Sequence, residues 1–343
     1  MISATSLRGY RSWVPNVLYR VLFVLVLFIV IFFISIGCGK KTVEIGMETI
    51  KEDTTWSGEI IVTGDVYLPQ GVTLNILPGT RIKFKRVDEQ SGRNLFGNDT
   101  PYFPQAELII RGRLIAQGTR DNIIIFTSAE RDARVADWGA INLLGSDDSI
   151  IEYCRILFAY NGIHVHSSTA LISHNEFLKN GVAISFKQES SPHLEWYGKD
   201  TDVTVIQNDI HNNKGGINLR NAKTLISYNR IKDNKFFGIW AKEKNKAYIS
   251  YNDITGNYKG IYLYQASGLK IHFNNIYHSK EYSMAIAEEQ DFEVDARYNW
   301  FGTVNKERID RHIFDKHDDP AVANILYEPI SRNKIKGAGH DLK

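Results

Sequence analysis

The stretch Gly260-Ile261-Tyr262-Leu263, followed by Leu269-Lys270-Ile271-His272-Phe273-Asn274-Asn275-Ile276, decides the fold. Its pattern is Gly-Ile-x-Leu, then Leu-x-Ile-x-x-Asn-x-Ile. Read upstream, the second half returns as Asn175-Glu176-Phe177, Asn208-Asp209-Ile210, Asn229-Arg230-Ile231 and Asn252-Asp253-Ile254, with asparagines 33, 21, 23 and 22 residues apart down to Asn274. Five residues after four of these stands another asparagine: Asn180, Asn213, Asn234 and Asn257. A glycine and an aliphatic residue follow, at Gly181-Val182, Gly216-Ile217, Gly238-Ile239 and Gly260-Ile261. A period near 22 with fixed punctuation marks a solenoid.

Within one unit, Ile239 and Ala241 alternate with Trp240 and Lys242, and Ala247 and Ile249 with Tyr248 and Ser250. Alternation over three or four residues, broken by Asn and Gly, suits short strands joined by tight bends. Asn and Gly tolerate the left-handed backbone of such bends. Stacked coils pair each strand with its equivalents about 4.8 Å above and below, as parallel sheet. The asparagines then form ladders in which each buried amide finds partners in neighbouring coils. The expected fold is all-β, a right-handed parallel β-helix.

The Gly260–Ile276 pattern resembles the parallel β-helix repeat of pectate-lyase-like proteins and of the carbohydrate-binding and sugar-hydrolysis domains of bacterial envelope proteins. The resemblance spans roughly residues 56 to 330 and implies the fold. It leaves function open, because the same repeat carries lyases, hydrolases, epimerases and proteins without a known reaction.

The N-terminus reads differently. Arg8, Arg11 and Arg20 precede an apolar run over residues 21 to 36, interrupted by Ser35, and Gly37-Cys38-Gly39 follow. This is the layout of a bacterial secretory signal. Ile34-Ser35-Ile36-Gly37-Cys38 resembles a lipoprotein box, which implies cleavage after Gly37 and lipid attachment at Cys38. An uncleaved signal anchor is the alternative, since about 17 apolar residues stand at the lower limit for a span. Either reading expects export and tethering to the cell envelope, in the periplasm or at the cell surface. The expected divisions are a signal at 1–37, a polar tether at 38–55, the β-helix at 56–302, a cap at 303–330 and a polar tail at 331–343; Asn299-Trp300-Phe301-Gly302, after the last coil, resembles the closing motif of these proteins. Residues 86 to 105 read as a protruding loop.

Without residues 1–37 the chain carries 38 basic and 39 acidic residues, so no basic surplus points to nucleic acid. Cys154 falls at the asparagine position of an earlier coil and reads as a small buried thiol. With Cys38 acylated, no disulfide forms in the body.

Stacking assigns outward residues to columns. Aligned on the Gly-aliphatic step, one column reads Asn142, His164, Ala183, Asn218, Trp240, Tyr262; two residues on, the next reads Leu144, His166, Ser185, Arg220, Lys242, Tyr264. Flat aromatics beside Arg and Lys suit sugar rings that carry carboxylates. The wide gap before Asn208 holds an insertion at residues 188 to 200, whose Trp196 and Tyr197 are expected to overhang this face. A further column, Tyr153, His174, Gln207, Tyr228, Tyr251, Phe273, reads as packing at a corner. His164 and His166 lie on one side of a strand and read as solvent-facing; two ligands without a third make no metal site. Calcium is conceivable, but no aspartate cluster is found for it, and no cofactor is expected.

Three functions stay open: glycan binding on this face, an envelope scaffold or accessory protein with a protein partner, and a polysaccharide lyase or hydrolase. The balance leans to a non-catalytic protein. Neither an aspartate cluster with an Arg-x-Pro-x-x-Arg base nor the motifs around paired hydrolase carboxylates are present.

Overall fold

The structure is a computed structural model describing residues 42–87, 106–287 and 289–339. The signal and Cys38, and nearly all of the 86–105 loop, lie outside these residues. Thr42 onward forms a compact unit of its own.

Three columns of parallel strands run the length of this unit. One sheet stacks ten strands, from Thr42–Ile45 through Glu59–Val62, Arg81–Phe84 and Cys154–Leu157 to Asn275–Tyr277. The remaining strands form two further columns, joined where Phe237–Ser250 and Lys259–His272 turn the corner without a break. The expected parallel β-helix is what the chain builds. Alternate burial of side chains is seen in strands such as Asp202–Ile206, where Val203 and Val205 are fully buried. Facing rows of Ile, Leu, Val and Phe fill the interior as one continuous cluster. Burial at roughly 25 cal/mol per Å² of apolar surface makes that row the main stabilising contribution.

Both asparagine ladders form. Asn175, Asn208, Asn229, Asn252, Asn274 and Asn299 pass amide-to-carbonyl hydrogen bonds down the stack at 2.9 to 3.1 Å. Asn180, Asn213, Asn234 and Asn257 form the second, at 2.9 to 3.1 Å. Cys154 heads the first ladder: its backbone N–H donates to Asn175 Oδ1 at 2.8 Å, and its buried thiol, its pKa raised by burial, donates to the carbonyls of Ala116 and Glu152. Aromatic corner residues sit one place before these asparagines in left-handed backbone, including Tyr228, Tyr251 and Phe273, and their rings stack with interplanar angles of 7° and 18°.

Both ends differ from expectation. Thr42–Ile45 is not tether but a strand, paired in register with Glu59–Val62, so the first coil starts there. Within the cap, Ile313–Phe314 and Ile325–Leu326 add a further rung to two columns, beside the helix Lys306–Asp310. The tail folds back along the ten-stranded sheet, where Ile335 N–H donates to Asn275 Oδ1 at 2.8 Å and Asn275 Nδ2 donates to Ile335 O at 3.2 Å.

Candidate functional site

The outward columns on the strands Ile141–Leu144, Asn161–His166, Val182–Lys187, Gly215–Arg220, Phe237–Ser250 and Lys259–His272, outside the ten-stranded sheet, carry the polar chemistry, and their register is observed directly. Asn142, His164, Ser185, Asn218, Trp240 and Tyr262 align in one column. Leu144, His166, Lys187, Arg220, Lys242 and Tyr264 align in the next. The expected Ala183 and Ser185 are displaced by two residues: Ala183 takes the place that glycine holds in other coils, so Ser185 moves to the first column and Lys187 enters the second. Sequence reading missed Lys187 for that reason. A guide was present, since the equivalent glycine lies eight or nine residues after the ladder asparagine, and eight after Asn175 is Ala183.

Lys187, Arg220 and Lys242 therefore form a ladder of cations on successive coils, about 4.8 Å apart. Arg220 pairs with Glu243, which also accepts from Asn221. Lys187 Nζ lies 3.8 Å from Glu189. Lys242 is placed otherwise: its Nζ sits 3.4 Å from the centroid of the Trp240 ring, a cation–π contact. Burial and then the Arg220 charge lower its pKa. Trp240 and Tyr262 stand 5.7 Å apart between centroids, tilted by 32°, with Phe237 at the edge of Trp240 at 5.4 Å. Lys259 Nζ lies 5.4 Å from the Tyr262 ring. Tyr264 is exposed. Among the described residues, the Trp240 indole N–H and Asn218 Oδ1 are buried without a hydrogen-bond partner. Asn218, Arg220, Trp240, Lys242, Tyr262 and Tyr264 thus come together on one stripe.

His164 and His166 lie on the same columns but under cover. The insertion runs between the strands Val182–Lys187 and Asp202–Ile206 and crosses the sheet face. Trp196 does not overhang it with a free ring. It packs on Ile109 and Leu144 at 8% exposure, against Gly145, where an added Cβ would stand 2.6 Å from the Trp196 Cβ. Arg111 lies over the indole at 4.8 Å and pairs with Glu195 at 2.6 Å. Tyr197 alone of the two aromatics faces solvent. The histidines are accordingly mostly covered, with 12% side-chain exposure at His166.

Beneath this strap runs a chain of polar contacts. Glu107 Oε2 lies 2.6 Å from the Asn142 amide, Asn142 lies 3.0 Å from His164 Nδ1, His164 Nε2 lies 2.9 Å from His166 Nε2, and His166 Nδ1 lies 2.8 Å from Glu189 Oε2. Burial, and then Asp65, push the Glu107 carboxyl well above its usual range. Burial also lowers both histidines, so the rings are neutral near pH 7. Burial alone would raise Glu189. Hydrogen bonds from His166 and the Ser191 N–H, with the Lys187 charge, instead hold it well below the carboxylate range.

One proton arrangement satisfies all four contacts. His166 Nδ1–H donates to the ionised Glu189, so a neutral His166 offers a bare Nε2. His164 must then donate from Nε2 and accept at Nδ1. Exchanging the O and N of the Asn142 amide, which moves no heavy atom, lets Asn142 donate to His164 and accept from a protonated Glu107. The 2.6 Å Glu107–Asn142 separation suits O–H···O better than N–H···O.

Fold and face together define a parallel β-helix protein with a cationic, aromatic stripe and a strapped polar relay beside it. Residues 125–301 match the family described as Periplasmic copper-binding protein (NosD), and with more than half of its length matched the chain belongs to that family. None of the curated proteins matches the chain. Among solved structures, the A-module of the Azotobacter vinelandii mannuronan C-5 epimerase AlgE6 is similar, with 13% identity over 78% of this chain and 80% of that one, at a TM-score of 0.37. The periplasmic alginate epimerase AlgG is similar at 16% identity over 87% of this chain and 75% of that one, with a TM-score of 0.36.

The family description raises copper. Among the described residues no three or more His, Cys, Asp or Glu side chains converge as a metal site. His164 and His166 bring two ring nitrogens together, but each Nδ1 is already bonded, and the proton count fills the space between the Nε2 atoms. These residues do not make a copper site.

Proposed function

We propose that this chain is an exported, envelope-tethered β-helix protein that binds an acidic polysaccharide along the stripe. The register carries this reading. Lys187, Arg220 and Lys242 stack beside Asn218, Trp240 and Tyr262, so charged heads and flat rings repeat together along the axis. A polymer with a carboxylate on successive sugars meets a cation on successive coils and a ring for its apolar face.

Lys242 has two favourable positions. Unliganded, it lies on Trp240; a sugar carboxylate draws it off and uncovers the indole. Glu189 and Glu243, the acids beside the stripe, are tied to His166 and Arg220. That leaves the face to binding rather than to acid–base chemistry. Tethering through Cys38 keeps the stripe at the envelope, in the periplasm of the family description.

Calorimetric titration with polygalacturonate oligomers and, separately, neutral dextran tests the proposal. Binding of the acidic polymer alone, lost in Trp240→Ala with Lys242→Ala, is expected. Equal affinity for both polymers, or an unaltered isotherm in the double variant, would overturn it. Mass spectrometry of the membrane fraction tests the anchor, which Cys38→Ala should abolish.

A further inference from the structure

Where the last coils meet the cap lies a cleft of about 440 Å³. Its polar lining is His278, Ser283, Thr303, Arg308, Arg311 and His312. The Phe301-Gly302 bend closes one wall. Gly302 has a φ of 79°, and a Cβ there would come within 3.0 Å of Tyr277 Cβ, so the bend presses directly on the coil below. The Asn299-Trp300-Phe301-Gly302 motif thereby shapes the cleft as well as ending the stack.

The charge of this lining has one sign. No carboxylate lines it. Among the described residues neither Arg308 nor Arg311 forms a salt bridge; Arg311 Nε–H donates only to Glu307 O, at 3.2 Å. His312 Nδ1–H donates to Arg308 O at 3.1 Å, which ties that ring nitrogen to the helix. Ser283 and Thr303 add hydroxyls.

We infer that this cleft binds a phosphate group carried as a monoester. A single guanidinium satisfies a carboxylate through a bidentate pair. Two guanidiniums with two imidazoles instead match a group bearing about −1.5 to −2 charge near neutral pH, with three acceptor oxygens. The volume exceeds that of a phosphate ion and leaves room for the esterified group. Either a soluble phosphorylated sugar or a lipid headgroup offers this chemistry.

The experiment titrates the exported chain calorimetrically with inorganic phosphate, glucose 6-phosphate and sodium acetate, and floats it with vesicles containing phosphatidic acid. Saturable phosphate binding is expected, weakened about ten-fold or more in Arg308→Gln and in Arg311→Gln. Both arginines are exposed, so the variants keep the fold, which an unchanged melting temperature verifies. Preference for vesicles assigns the group to a lipid; preference for glucose 6-phosphate assigns it to a soluble ester. Absence of saturable binding to every phosphate probe, or wild-type affinity in both arginine variants, overturns the inference.

Discussion

The Nε2 atoms of His164 and His166 face each other at 2.9 Å, two residues apart on one strand, with the rings edge-on at 74°. Such a contact holds only if one nitrogen carries a proton and the other does not. The flanking groups decide which: Glu189 fixes the Nδ1–H of His166, and the neutral Glu107 reaches His164 through Asn142. A strap whose Glu189 closes this chain is therefore sensitive to proton binding.

Acid should loosen the strap. Both rings have lowered folded pKa values, against about 6.5 when unfolded. Below that value the unfolded or strap-open chain binds more protons, so stability present above pH 6.5 is lost as pH falls. Glu189, also lowered, extends the loss as pH falls below the unfolded carboxylate range near 4.3. Hydrogen exchange of residues 188–200 should accelerate from pH 7 to 5, after correction for the intrinsic rate. A flat corrected profile would contradict the relay.

Glu107 runs the other way. Its folded pKa is raised, so its contribution is complete below about 4.3 and is lost as pH rises through the folded value. Glu107→Gln keeps a donor toward Asn142 and removes the ionisable group. The variant should melt higher than wild type at pH 8 and lose that advantage at pH 5, as differential scanning calorimetry will read. Destabilisation of equal size at both pH values would show that Glu107 is not held protonated.

The ladders should be cooperative. Asn229 donates to Val205 O, Ser227 O and Asn252 Oδ1, and accepts from the N–H and side-chain amide of Asn208. Asn229→Ala leaves several fully buried groups without partners, at about 1–3 kcal/mol for each one orphaned. We expect a loss of about 3 kcal/mol or more in urea unfolding, with exposed Lys246→Ala within about 0.5 kcal/mol of wild type.

These contrasts show why the frame was legible and the strap was not. Asn229 and Ile231 have equivalents in coil after coil from Asn175 to Asn274, because each of these coils solves one packing problem, so period and residue type fix their positions. Lys187 escaped because Gly181 imitates the repeat glycine, whereas Ala183 occupies its place. Thr42–Ile45 escaped because only Ile45 of its four residues is buried, leaving little apolar rhythm to read. The direction of Trp196 depends on Gly145, Ile109 and Arg111, remote in sequence from the insertion, and no local pattern encodes that meeting.

Trp196 therefore provides the sharpest test of the strap. Its ring rests on Ile109 and Leu144 outside the central core, and its Nε1–H donates to Glu189 Oε2 at 3.4 Å. Trp196→Ala removes that packing and the Arg111 contact while leaving the stacked coils untouched. The β-helix should unfold within a few degrees of wild type, since the cluster is a satellite rather than part of the continuous interior. The strap itself should open, exposing the peptide bonds after Lys187 and Lys199 to trypsin. With water admitted, the burial that lowers the histidines weakens, and the His166 titration followed by NMR should move up toward 6.5. Resistance to trypsin together with an unmoved His166 titration would mean that the strap is held not by Trp196 but at its base, where Thr201 Oγ1–H donates to Lys187 O at 2.7 Å and accepts from the Ser167 N–H at 3.1 Å.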